Sequence, residues 1–212
     1  MRRIYFDTEF TGLKKDTDLI SIGCVTRTNN GLKHFYAEIK DISIGKLDKW
    51  IKDNVIKNCL FLGKNKIDNK KFILQNFEYC FDTFNEVSTS LNKWIEEIAI
   101  SDLKNGGDGQ IEFVSDVSSY DFVLLIDLLT NHKSALDLPN YITSDCYNIN
   151  QLIADKLFDK SDLGDAFDIT REEYLSERDK EEFILNKILG DAKHNALWDA
   201  YVISKIGERY GL

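Results

Sequence analysis

The stretch LISIGCVTRTNNGLKHFYAEI, residues 19–39, constrains the fold more than any other part of the chain. Two apolar, β-branched runs flank Asn29, Asn30 and Gly31, a tripeptide suited to the tight turn of an antiparallel hairpin. Ahead of it, residues 3–7 (RIYFD) form another short apolar run ending in a carboxylate, and the turn-like TGLKKDTD separates the two. Three strands are therefore expected to come first.

After the hairpin the apolar period lengthens from two to between three and four, the spacing of one helical face. Leu47, Trp50, Ile51 and Val55 align in residues 46–55, and Leu91, Trp94, Ile95 and Ile98 align in residues 87–100. Both segments predict amphipathic helices that cover a sheet. Residues 56–86 keep no clean period and are expected to be an irregular or partly helical insertion. Beyond the turn-forming LKNGGDGQ, IEFVS predicts a strand and YDFVLLIDLLT a buried helix. NYITSDCY and NINQLIADKLF repeat that pair, with Leu152, Ile153 and Leu157 turned inward. A charged, helix-prone stretch, 161–191, leads to AKHNALWDAYVISKIGERYG, a final helix with Leu197, Tyr201 and Val202 suited to the core. The order predicts an α/β fold: a mixed sheet of three antiparallel-connected strands and then two parallel strands, flanked by helices.

The length of 212 residues suits a single domain, 1–212, and 43% hydrophobic content excludes wholesale disorder. No run approaches the roughly 20 apolar residues of a membrane span, and MRRIYFDTEF lacks the apolar core of a signal peptide, so a cytoplasmic protein is expected. Cys24, Cys59, Cys80 and Cys146 are scattered, without a CxxC pair or zinc-like spacing. They read as reduced thiols, mostly buried. A net charge of −9 argues against a nucleic-acid partner unless something else supplies positive charge at the phosphate.

Asp7 and Glu9 supply a reason for such a charge. At positions i and i+2 of a strand, both carboxylates point to one face, and two like charges so close are usually relieved by a divalent cation with oxygen ligands. Alone, a D-x-E at a strand end reads more readily as a solvated turn. His194 and Asp199 in HNALWDA form a second element: if Asn195 caps the last helix, Asp199 lies near its first turn and His194 on the loop before it. Asp121 in SSYDFVLL, at the start of a buried helix after a strand, is a third, with Asp116 ranked behind it for the same role.

FDTEFTGL, SYD before an apolar helix, and HNALWDA near the C-terminus together resemble the DEDDh superfamily of 3′→5′ exonucleases, which have an RNase H-like fold. The motifs come in that order, and the histidine lies five positions before the last aspartate. The layout of DTEF, LISIG and a KW-containing helix resembles in particular the small bacterial and phage 3′→5′ exoribonucleases. Where many relatives carry His or Asn before the third acid, this chain has DVSS, and residues 56–86 and 159–190 exceed a minimal version.

The resemblance implies a hydrolase acting on phosphodiester bonds with two divalent ions, Mg2+ or Mn2+. Asp7 would bridge them, Glu9 and Asp199 would complete the first site, Asp121 would support the second through water, and His194 would be the general base. A histidine with an ordinary pKa of about 6.5 suits that role at neutral pH. The substrate implied is the 3′ end of single-stranded nucleic acid, RNA favoured over DNA, with release of nucleoside 5′-monophosphates. Leu13 would wedge against terminal bases, with Phe10 and Tyr120 as further contacts, although Phe10 is equally suited to the core. Lys14, Lys15, Lys64, Lys66, Lys70 and Lys71 are candidates for a phosphate-binding rim. No membrane partner is expected, and a homodimer is left open. The alternatives are a 3′→5′ DNA exonuclease and an inactive RNase H-like module that binds nucleic acid or protein. IGK at 44–46 lacks the rest of a phosphate-binding loop, and GGDG is a turn rather than a calcium loop.

Overall fold

The computed structural model describes residues 1–63, 77–156, 175–183 and 193–212. The predicted hairpin is present: β2 (Leu19–Thr28) pairs antiparallel with β3 (Gly31–Ile39), and Gly31 turns the chain at φ +104°. β1 (Arg2–Phe10) lies antiparallel on the other side of β2, while β5 (Ile111–Ser115) and β6 (Ile142–Asn148) add in parallel beyond β1. The strand order is β4-β3-β2-β1-β5-β6. This is an α/β fold with a mixed six-stranded sheet, antiparallel and then parallel, flanked by helices and compatible with an RNase H-like fold.

The sixth strand corrects the reading of 56–86. Phe77–Asp82 forms β4, parallel to β3 at the sheet edge. An edge strand with both faces only partly covered lacks the clean alternation that makes a strand legible. Residues 64–76 lie outside the described residues, as do Lys64, Lys66, Lys70, Lys71 and Leu157.

Six helices are described: α1 (Lys49–Asn54), α2 (Phe84–Lys104), α3 (Ser118–Thr130), α4 (Ile149–Lys156), α5 (Glu177–Glu182) and α6 (Ala196–Arg209). They divide between the two faces of the sheet according to the period of two in β1. Ile4 and Phe6 face α2 and α3, joining Leu91, Trp94, Ile95, Leu125 and Leu128 in one apolar cluster. Tyr5 points the other way, with Val25, Tyr36 and Val114, against Leu197, Tyr201 and Val202 of α6. Burial of this area on both faces supplies the main stabilisation. A smaller cluster seats α1 through Ile51 and Val55 on Ile20. Trp50, whose spacing predicts an inward position, is instead 55% exposed. With only six residues, α1 is anchored by Ile51 alone within the helix, and its neighbour is left on the rim.

Candidate metal centre

β1 is straight through Asp7 and Glu9, and its register with β2 shifts only between Glu9 and Phe10. Both acids therefore project to the α6 face, while Thr8 between them points to α3. There the Thr8 hydroxyl donates to Asp121 Oδ1 at 2.6 Å. Asp121 sits in the first turn of α3, which follows directly on β5, and its other oxygen accepts from the Ser115 hydroxyl. Asp116, the residue after β5, is buried, and its main-chain carbonyl accepts from Asn148 Nδ2 at 2.6 Å. These groups gather at the C-terminal ends of the parallel pair β1 and β5, where α/β proteins commonly place their sites.

The last two groups come from α6 and the loop just before it. Asn195 caps it as expected, its Oδ1 accepting from the main-chain N–H of Leu197 at 3.1 Å and of Trp198 at 3.4 Å. That puts Asp199 in the first turn, where the helix dipole favours a carboxylate, and His194 immediately before the cap at φ +60°. Asn195 also donates through Nδ2 to the Asn58 carbonyl at 2.9 Å and to the Tyr36 hydroxyl at 3.2 Å. Loss of a cap typically costs about 0.5–2 kcal/mol. Asn195→Ala is expected to lose at least this in thermal denaturation, and Asn195→Ser, which can cap but cannot make both ties, to recover part of it. Equal melting of the alanine variant and the wild type would contradict the cap's importance.

Gly23 allows α6 to come this close. It lies opposite Asp7 on β2, and a Cβ built on it would meet Leu197 Cα and N at 2.3 Å. The sequence carries a signal for this, since an isolated glycine in a strand often marks close backbone approach.

The result is two contiguous donor groups, Glu9 with His194 and Asp199, and Asp7 with Asp116 and Asp121, with ligand atoms within 4.8 Å of one another in each. All six line one cleft of about 730 Å³. All five predicted metal-site and base residues are thus brought together. Asp116, ranked behind Asp121, joins the cluster beside it. Phe10, which lines the cleft, meets Tyr120 of α3, their rings stacked at 5.8 Å and 11°. Phe10 packs partly on the core and partly lines the cleft, while Leu13 is 71% exposed at the mouth. Lys14 and Lys15 are exposed, and among the described residues the lysine lining the cleft is Lys193.

Electrostatics make the cluster costly without a cation. Burial pushes the Glu9 carboxyl well above the ordinary range, and the nearby charges of Asp199 and Asp121 push it further the same way. Burial also raises Asp121, against the opposing hydrogen bonds from Ser115 and Thr8. The Cys146 thiol is pushed up to about 12 by burial and by Asp121, so it stays protonated. Among the described residues, six carboxylates line the cleft, counting Asp48, against Lys193 alone among lysines and arginines. Carboxylate oxygens with one imidazole are a donor set that could hold divalent metal ions.

No protein-family model matches the sequence, and a search of curated proteins returns no match. Among the described residues, no helix is long and apolar enough to cross a membrane.

Proposed function

We propose that the chain is a metal-dependent 3′→5′ exonuclease that hydrolyses phosphodiester bonds of single-stranded nucleic acid, with RNA as the favoured substrate. The observation that carries the reading is the convergence of Asp7, Glu9, Asp121, His194 and Asp199, from β1, α3, the loop before α6 and α6 itself, in one cleft. Asp7, Glu9, Asp121 and Asp199 would hold two divalent ions, with Asp116 available beside Asp121. Bound there, the ions would lower the pKa of a water and neutralise charge building on the phosphate.

The chain's own groups divide the remaining work. His194 takes the proton of the attacking water, and the fixed start of α6 sets its place beside Glu9 and Asp199. The stacked Phe10 and Tyr120 offer an aromatic face to a terminal base, a contact indifferent to sequence, as stepwise trimming requires. Leu13 and Val117 extend this apolar wall, and Lys193 supplies positive charge at the mouth. Preference for RNA follows from the resemblance to the small exoribonucleases, and the products are nucleoside 5′-monophosphates.

The test uses 5′-labelled single strands of RNA and DNA with Mg2+ or Mn2+. Stepwise shortening from the 3′ end is expected, faster on RNA, and slower by roughly a thousandfold or more in Asp7→Ala. A wild type that leaves both strands intact, or cleavage that the Asp7→Ala protein retains, overturns the reading. Faster shortening of DNA replaces RNA as the substrate.

A further inference from the structure

We infer that Trp50 and Asn58 are positioning residues that latch the His194 loop in register with the carboxylates, an inference that rests on the proposed nuclease reading. Three contacts tie residues 193–195 to one short segment of chain. The indole of Trp50 meets the His194 ring edge-to-face, with centroids 5.3 Å apart and planes at 70°. The Asn58 side chain donates through Nδ2 to the Lys193 carbonyl. Asn195 Nδ2 returns a hydrogen bond to the Asn58 carbonyl at 2.9 Å. The loop residue before His194 and the cap residue after it are thus both held by Asn58, and the imidazole itself by Trp50.

This arrangement meets a specific need. His194 sits at φ +60°, a left-handed conformation that costs a residue with a Cβ, and such a conformation persists only where its surroundings impose it. Asn58 is itself fixed, because its Nδ2 also donates to the Asn54 carbonyl at 3.0 Å. The segment behind it is anchored in the core through Ile51, Val55, Ile56 and Cys59. Trp50 contributes little to that core, being 55% exposed, so its ring is placed for the cleft and for His194. Edge-to-face geometry at this distance is the favoured arrangement of two aromatic rings and restricts the turning of the imidazole.

The experiment compares Trp50→Ala, Trp50→Phe, Asn58→Leu and wild type. Steady-state kinetics on single-stranded RNA gives kcat and KM, and the ring protons of His194 are followed by NMR without substrate. Trp50→Ala and Asn58→Leu are expected to lower kcat roughly ten- to a hundredfold with KM little changed, the scale on which small misplacements of a catalytic group act. Trp50→Phe should restore most of the rate. The His194 ring signals should lose their indole ring-current shift in Trp50→Ala and broaden or move in Asn58→Leu. Because Trp50 is largely exposed, its alanine variant should melt with the wild type. Unchanged kcat in an active enzyme, a rise in KM alone, or His194 signals identical in all proteins overturns the inference. If the wild type cleaves neither RNA nor DNA, the nuclease reading falls by itself. The NMR then decides the latch: shifted His194 signals sustain it and unchanged ones reject it.

Discussion

Gly23→Ala is expected to destabilise the protein by about 3 kcal/mol or more, a fall in Tm of roughly 6–12 °C for a chain of this size, and to reduce activity about a hundredfold in whatever remains folded. The cause is a collision between two backbones, which no rotamer can relieve. The new methyl would meet Leu197 Cα and N at 2.3 Å and the Ala196 carbonyl carbon at 2.4 Å, whereas ordinary contact begins at 3.4 Å. Helix α6 would have to retreat by about 1 Å in an interior that is close-packed. That helix carries Asp199, and its cap adjoins His194, so the retreat opens the cluster on one side while Asp7, opposite Gly23 on the sheet, stays in place. Gly45→Ala serves as the control, since nothing lies within 4 Å of its added Cβ. It should melt within about 0.5 kcal/mol of wild type. Thermal denaturation of both variants, followed by kinetics on the folded protein, checks the expectation. A Gly23→Ala protein with wild-type Tm would show that α6 accommodates the methyl.

What the sequence discloses of this arrangement depends on whether a residue's role is local. The β2–β3 hairpin is legible because its turn chemistry and flanking apolar runs are contiguous. Asn195 is legible as a cap because the cap bonds span only three residues. Asp7 and Glu9 share a face by the period of two, which needs no knowledge of the rest of the chain. The misread positions are those fixed by distant partners. Trp50 has the spacing of a core residue, yet its ring lies outside the core and meets His194, 144 positions away in the chain. β4 exists because β3 offers an edge, and its own residues alternate too weakly to announce it. Asp116 and Asp121, five positions apart in the sequence, are both set beside Asp7 by the bend from β5 into α3, which no local pattern discloses. Gly23 is the instructive case: its strand context hints at a close approach, but only the folded chain names α6 as what approaches.

Glu9→Gln is expected to separate stability from function, abolishing metal-dependent cleavage while making the metal-free protein more stable. Burial and the neighbouring charges of Asp199 and Asp121 hold the Glu9 carboxyl well above its ordinary range. Between the unfolded value and the raised folded one, the folded protein binds more protons than the unfolded chain. By linkage, metal-free stability is then greatest on the acid side of that window and falls as pH rises through it. Asp121 and Glu38, both raised by burial, slope the same way. A neutral amide at position 9 removes a buried charge and its repulsion with Asp199 and Asp121, so in chelator at pH 8 the variant should melt about 2–4 °C above wild type, the shift that on the order of 1 kcal/mol produces at this size. At pH 5 the two should converge. Mn2+ reverses the order. An ion that binds only the folded wild type stabilises it by about 3 kcal/mol at a hundred times its Kd, and the gain grows with pH because protons compete for the same oxygens. The variant, lacking one ligand charge, should gain much less. Melting curves at both pH values, with and without Mn2+, decide the matter. A Glu9→Gln protein no more stable than wild type in chelator would mean that Glu9 does not strain the empty cluster, and one equally stabilised by Mn2+ would mean that it does not hold the ion. If the expected pattern appears, the acidity that first argued against a phosphate substrate becomes intelligible: the cluster is stabilised by the same divalent charge that the reaction needs, and the fold tolerates the repulsion when that charge is absent.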